Sequence, residues 1–183
     1  MARIKTDIET FARIKVVGVG GGGGNAVTRM FNAQIKGVDF IAINTDAQDI
    51  HNAKANIKIH IGKNLTKGLG AGMNPDIGKQ AAEENRDEIA DALKGADLVF
   101  ITCGLGGGTG SGASPIIADA AHDIGALVVA VVTKPFSFEG KKRTSIAEEA
   151  ILALRDRVDT LITIPNDKVL NLIDKNTSLV EAF

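Results

Sequence analysis

Gly104-Leu-Gly-Gly-Gly-Thr-Gly-Ser-Gly-Ala-Ser114 places five glycines in the seven positions from Gly106 to Gly112. Before it runs Leu98-Val-Phe-Ile101, an apolar stretch that predicts a buried strand. After it runs Pro115-Ile-Ile-Ala-Asp-Ala-Ala121, which predicts a helix with Ser114 as N-cap and Pro115 at the first helical position. Glycines between a strand and a helix let backbone N–H groups converge on one point. That point lies at the positive end of a helix dipole, where an anion such as phosphate is stabilised. A flexible linker is the other use of such a composition, but linkers are not capped between a buried strand and a helix.

The same grammar recurs upstream. Arg13-Ile-Lys-Val-Val-Gly-Val19 predicts a buried strand that runs into a glycine loop, Gly20-Gly-Gly-Gly-Gly-Asn25, and then a helix with Val27, Met30 and Phe31 on one face. Gly18, Gly20 and Gly23 satisfy G-x-G-x-x-G, the dinucleotide fingerprint. Gly37 to Ile43 is the next strand, and it ends in Asn44-Thr-Asp46. Asp46 there would hold a ribose, reach a phosphate-linked magnesium through water, or cap the following helix. Asn56 to Ile61 alternates as a short strand near a sheet edge. A third glycine loop, Gly68-Leu-Gly-Ala-Gly72, leads to a helix capped by Asn74, started by Pro75 and running to about Leu93. Glu83, Glu84, Arg86, Asp87 and Glu88 form its solvated face.

Downstream, Gly125 to Val132 is the most apolar run and predicts a central parallel strand. A polar and aromatic loop from Thr133 to Arg143 follows, then a helix over 144–158, a strand from Thr160 to Ile164, and a short helix from Asp167 to Ile173. At the two ends, Ile4, Ile8 and Phe11 have helical spacing, and Ser178-Leu-Val-Glu181 reads as a capping box. The strand–helix alternation predicts an α/β fold, a doubly wound and mostly parallel sheet flanked by helices. Every loop of interest follows a strand, so all gather at the carboxyl edge, where such sheets bind ligands.

Bulk properties narrow the function. The chain has 183 residues, is 44% hydrophobic and 23% charged, and carries a net charge of −1. A chain of this length buries roughly 70% of its unfolded surface. The charge balance, without a long basic run, argues against nucleic acid as a partner. No apolar run reaches the length of a membrane span, and the start has no signal-type apolar region. Cys103 is the single cysteine, which fits a reducing, cytoplasmic setting and reads as a small buried residue. His51, His60 and His122 are scattered, which argues against zinc. Gly-Lys occurs at 62–63, 78–79 and 140–141, never followed by Ser or Thr, so a P-loop lysine is not encoded.

Gly106-Gly-Gly-Thr-Gly-Ser-Gly112 matches the tubulin-superfamily signature G-G-G-T-G-[ST]-G. With Gly18 to Ala26, Asn44-Thr-Asp-Ala-Gln48, Gly68 to Gly72, Val132 to Gly140 and Ile164-Pro-Asn-Asp-Lys168, the chain resembles the FtsZ family of tubulin-like GTPases of prokaryotic cell division over nearly its whole length. The resemblance implies GTP and GDP as ligands, with Mg2+ on the phosphates. It implies main-chain contacts to phosphate from Gly21, Gly22, Gly23, Gly24 and Asn25 and from Gly108, Thr109 and Gly110, with Gly20, Gly106, Gly107 and Ser111 also binding GTP. Ala71 and Gly72 would approach the γ-phosphate. Asn44, Asp46 and Pro135 would complete the walls. Glu139 would accept from ribose hydroxyls, Arg143 would add charge, Asn166 would read the guanine edge, and Phe183 would stack on the base or anchor the last helix. Met73 stands where the family has a small residue.

The resemblance also divides the chain: a GTP-binding domain over 1–177, then the start of a central helix over 178–183. The family's guanine-reading Asp, water-activating loop and second domain lie beyond it. No catalytic residue is therefore expected within these residues, and hydrolysis is expected only when an intact subunit docks its loop head-to-tail. Asn44-Thr-Asp-Ala-Gln-Asp49 also spells the family's activating N-x-D-x-x-D, but its place after the second strand assigns it to nucleotide binding and capping. Other division proteins are possible partners, and midcell is the expected location. Two alternatives stay open: an NAD-dependent oxidoreductase domain, from Gly18-x-Gly20-x-x-Gly23 with Asp46, and a non-catalytic module that caps filaments.

Overall fold

The computed structural model describes residues 12–170. The helix expected around Ile4, Ile8 and Phe11, the capping box at Ser178 to Glu181, and Phe183 lie outside the described residues, as does the end of the helix expected over 167–173.

The elements follow in the order β1 (Ile14–Val19), α1 (Gly20–Asn32), β2 (Val38–Asn44), α2 (Ala47–Asn52), β3 (Ile57–His60), α3 (Lys63–Thr66), α4 (Pro75–Glu84), α5 (Arg86–Leu93), β4 (Leu98–Gly104), α6 (Gly108–Asp123), β5 (Leu127–Lys134), α7 (Lys141–Arg155), β6 (Thr160–Pro165) and α8 (Asn166–Leu170). All strand pairings are parallel, in the order β3-β2-β1-β4-β5-β6. The α/β doubly wound sheet expected from the sequence is what forms. β3 lies at an edge, as its alternation predicts. β5 is an interior strand but sits beside the edge strand β6, while β1 and β4 hold the middle.

Strand side chains alternate between two apolar layers. Val17, Val19, Ile101, Cys103, Val128, Ala130 and Val132 pack on one face against α4 to α7. Val16 and Phe40 pack on the other beneath Val27 of α1. The register aligns Val19 with Ile43 and Cys103, and Gly104 with Thr133, so the strand ends form one level edge. Strand order reverses between β1 and β4, and such a reversal leaves a crevice at the carboxyl edge. Cys103 is buried in the larger layer, and that burial pushes its thiol up to about 11, as befits a small core residue. No described helix is long and apolar enough to cross a membrane.

Helix boundaries depart from expectation in four places, one of them α7, which runs from Lys141 to Arg155 and not over 144–158, because the chain turns into the helix at Gly140. Gly20 to Asn25 is not a loop preceding a helix; it is the first six residues of α1 itself. α6 starts at Gly108, not at Pro115, so Ser114 is buried within the helix and donates its hydroxyl to the Gly110 carbonyl at 2.6 Å. Pro115 lies inside the helix, where it deprives the Ser111 carbonyl of the partner four residues on. The helix expected to run unbroken to Leu93 turns at Asn85, whose Oδ1 accepts from the Gly62 N–H at 2.9 Å. Asn74 caps α4 as expected, accepting from the Asp76 N–H.

Tertiary packing drives the early start of α6. The helix is buried along nearly its whole length and crosses α4 with backbone against backbone. A Cβ at Gly112 would run into the Pro75 carbonyl and lie 2.7 Å from the Lys79 nitrogen, and one at Gly78 would run into the Gly108 carbonyl. Glycine is required there for space, and the buried interface overrides its poor helix propensity. Gly112→Ala is therefore expected to destabilise the fold by roughly 1–3 kcal/mol or more through overpacking, read from the midpoint of urea denaturation.

Candidate functional site

Above the β1/β4 crevice lies a cleft of about 390 Å³. One wall is the first turn of α1, Gly20 to Gly22. The second is Gly104 and Leu105 with the start of α6, Gly107 to Gly110. Asn44, Asp46 and Asp49 from the end of β2 form a third, with Gly70 beside them, and Thr133, Pro135, Glu139, Arg143 and Asn166 form the far end. The N-termini of α1 and α6 thus both face this space, each with amides that have no carbonyl partner within its own helix. Three loops expected to share an edge do share it.

Residue by residue, the sequence candidates separate. Gly20, Gly21, Gly22, Asn44, Asp46, Gly107, Gly108, Thr109, Gly110, Pro135, Glu139, Arg143 and Asn166 line the cleft together. Gly24 and Asn25 line an adjoining cavity of about 210 Å³ between α1 and α2, which shares Gly20, Gly21, Asn44 and Asp49 with the cleft. Gly23 is buried behind the wall against Gly18 and the Thr102 carbonyl, a packing role. Ser111 is buried, and its hydroxyl accepts from the Gly106 N–H at 3.0 Å; the residue faces the groove between α4, α6 and α7 instead of the cleft. Gly106, at φ 98°, packs on Arg143 and turns the chain into α6. Ala71 is buried against Gly108, while Gly72 is exposed and neither lines the cleft. Met73 adopts φ 61°, a left-handed conformation that favours glycine.

The polar groups are arranged by local chemistry. Asp46 is the N-cap of α2: its Oδ1 accepts from the N–H groups of Gln48 and Asp49, at 2.8 and 3.0 Å. Asn44 accepts from the Thr45 N–H and donates to Asp49 Oδ2 at 3.1 Å, so the Asn44-x-Asp46-x-x-Asp49 motif closes on itself. Glu139 accepts from the Phe136 N–H at 2.8 Å and from Arg143 at 2.6 Å, which fixes the carboxylate at the cleft's far end. Asn166 Oδ1 is buried without a hydrogen-bond partner among the described residues. Asp49, Gly104, Leu105, Gly70 and Thr133 line the cleft although the sequence did not single them out. Asp49 was legible as the last letter of N-x-D-x-x-D, and Gly70 as the centre of the third glycine loop; Gly104, Leu105 and Thr133 belong to strand ends whose alignment only the register reveals.

Two amide-rich helix starts flanking the switch point of a parallel sheet, with a fixed carboxylate–guanidinium pair and a carboxamide oxygen left without a partner among the described residues, define a nucleotide-binding α/β domain. Residues 13–174 match the family model described as Tubulin/FtsZ family, GTPase domain. The chain is similar to an empty FtsZ dimer of M. jannaschii, with 51% identity and a TM-score of 0.90, over 95% of this chain and 50% of that one. It is also similar to CetZ2 of Haloferax volcanii, a GTPγS-bound protofilament, with 26% identity and a TM-score of 0.81 over 93% and 53%. CetZ1 of the same organism, a GDP-bound monomer, gives 28% identity and a TM-score of 0.78 over 93% and 55%. The chain belongs to the Tubulin/FtsZ family, over its GTPase domain. It spans about half the length of these solved relatives. Membership sets aside the oxidoreductase reading of Gly18-x-Gly20-x-x-Gly23.

The glycines now fall into two groups. Gly112 is needed for packing, whereas Gly107 lines the cleft, has extended backbone angles (φ −97°, ψ 178°) and has open space where a Cβ would stand. Gly107→Ala is expected to leave stability within about 0.5 kcal/mol while weakening GTP binding about tenfold or more, the reverse of Gly112→Ala. Paired urea denaturation and nucleotide titration of the two variants check this.

Proposed function

We propose that this chain is the GTP-binding domain of a filament-forming GTPase of cell division. The observation that carries the reading is the match between the two ends of one cleft and the two ends of a nucleotide. Unpaired amides of α1 and α6 suit phosphates. Glu139, Arg143 and the buried Asn166 Oδ1, without a partner among the described residues, suit a ribose and a base with donor edges, as guanine has. CetZ2 and CetZ1, described as GTPγS-bound and GDP-bound, support guanine nucleotides for this cleft.

The cleft's charge supports a divalent cation. Among the described residues, Asp46, Asp49 and Glu139 line the cleft with a single cationic side chain, Arg143, and a triphosphate adds further negative charge. No group of three or more His, Cys, Asp or Glu among the described residues could hold a metal alone. Mg2+ would therefore ride on the phosphates, with Asp46 reaching it through water, and would neutralise phosphate charge. In this reading Ala71, behind Gly108, and Gly72 sense the γ-phosphate through the loop rather than as cleft lining.

A thermal-shift comparison tests the ligand. GTP with magnesium at about 100 times its Kd is expected to add about 2.7 kcal/mol, several degrees in Tm, and NADH nothing. A shift with NADH and none with GTP would overturn the reading.

Self-association is the second part of the proposal, with cytoplasmic assembly at the division site. Beside the cleft, Leu69 is 83% and Phe138 74% exposed, and Phe138 stacks on Phe136 at 5.0 Å. Apolar side chains on the rim of a polar cleft suit a protein surface closing over bound nucleotide, as in a head-to-tail dimer or protofilament. The carboxylates in the cleft are occupied in capping and pairing, so the residue that activates water is assigned to the docking subunit. GTP turnover by these 183 residues alone is expected at background, rising when intact FtsZ subunits are added. Leu69→Glu is expected to lower co-sedimentation with those subunits about tenfold while leaving the Kd for GTP unchanged. If the chain instead reduces polymer mass in proportion to its amount, it acts as a filament cap.

A further inference from the structure

Thr45 is the residue after β2, fully buried, and its hydroxyl lies 2.7 Å from the Thr109 hydroxyl, the only hydrogen-bond partner it has among the described residues. Thr109 is the second residue of α6, lines the cleft and is 8% exposed. Each hydroxyl has one hydrogen, so their mutual bond runs in one direction at a time. If Thr109 donates to Thr45, it presents only lone pairs to the cleft, which repel an anion. If Thr45 donates to Thr109, the Thr109 hydrogen is free for a phosphate oxygen, and the Thr109 oxygen is still satisfied.

We infer that Thr45 is a positioning residue for phosphate binding: its hydroxyl supplies the hydrogen that lets Thr109 donate its own into the cleft. The inference rests on the reading of that cleft as the GTP site. The backbone of Thr45 is held for this task from three sides. Its N–H donates to Asn44 Oδ1 at 2.8 Å, its carbonyl accepts from His60 Nε2 at 3.2 Å, and the Thr66 hydroxyl shares its one hydrogen between the carbonyls of Thr45 at 3.2 Å and Gly62 at 3.1 Å. Thr66 Oγ1 in turn accepts from the Gly68 N–H at 3.3 Å, at the start of the third glycine loop. With the Thr45 backbone held, its hydroxyl stays within reach of Thr109 and can donate to it when a phosphate oxygen takes the Thr109 hydrogen, and a hydroxyl that accepts a hydrogen bond is the better donor.

The test uses the 183-residue chain and titrates GTP, GDP and guanosine, which has no phosphate. Thr45→Val keeps the shape and removes the hydroxyl. It is expected to weaken GTP and GDP about fivefold to tenfold, the worth of one hydrogen bond, and guanosine by less than about twofold. Thr45→Ser is expected to bind like the unmodified chain. In a Thr109→Val background, Thr45→Val is expected to add less than about twofold, because the two hydroxyls act as one unit. A merely structural Thr45 would weaken all three ligands alike, and that result, an unchanged affinity, or additive losses would each overturn the inference. Should Thr45→Val not fold, Thr45→Cys, a weak donor, is expected to fall between Thr45→Ser and the loss just given; Cys and Ser variants of equal affinity would overturn the inference. Absence of GTP binding by the unmodified chain would overturn the reading of the cleft and this inference with it, whereas full binding by Thr45→Val would overturn the inference alone.

Discussion

The approach of α6 to α4 with no side chain between them governs the molecule. Gly78, Gly108 and Gly112 remove the Cβ atoms that would separate the two helices, and Gly110 lets α6 descend onto the Gly104 carbonyl, where a Cβ would lie 2.6 Å away. The descent sets where the helix begins. A thicker interface would lift α6 from the end of β4 and carry its free amides away from the crevice. The same holds across the sheet, where Gly18 and Gly23 seat the start of α1 against the Thr102 carbonyl. Close packing and anion binding are thus encoded by interleaved glycines of the same motifs.

The electrostatic design follows from that placement. The described side chains of the cleft carry more negative charge than positive, so the affinity they leave to be supplied for a polyanion comes from the main chain and from a cation that travels with the ligand. A phosphate site built on a lysine tolerates loosely placed backbone, since a point charge acts at a distance. A site built on amides does not, because each N–H bond fails within a few tenths of an ångström. This explains why two helices, not loops, carry the amides, and why their starts are set by backbone contact.

Much of this was legible before any coordinates. Apolar runs at β1, β4 and β5 gave the strands, and their order with intervening helices gave the parallel sheet. Asn74 and Pro75 marked the start of α4 because capping is a local interaction. The start of α6 was not legible for the opposite reason: Ser114-Pro115 has the local chemistry of a helix start, while the true first turn, Gly108 to Ser111, has poor propensity and is helical only because α4 and β4 surround it. Ser111 and Gly23 were likewise read as ligand groups from their place in a motif. Only packing shows that one satisfies the Gly106 amide and the other fits against Gly18. Asn85 broke a predicted helix through a bond to Gly62, a partner that no periodicity can reveal.

The third glycine loop joins these constraints. At one end it is tied to the close of β2, by the Ala47 N–H to the Gly68 carbonyl at 3.1 Å and by a bridge between Asp46 and Leu69. At the other, Ala71 lies where a Cβ on Gly108 would fall, and Asn74 caps α4. The loop is therefore held between the carboxylate wall and the start of α6, while Leu69 points outward from its middle. Gly108 cannot move toward the loop without displacing Ala71, since the two are already in contact. Whatever fills the cleft at Gly107 and Gly108 consequently bears on the position of the rim, because dense packing transmits displacement instead of absorbing it. Met73, held at a positive φ just before the cap, stores strain of about 1 kcal/mol in that loop, which the contacts at its two ends hold in place.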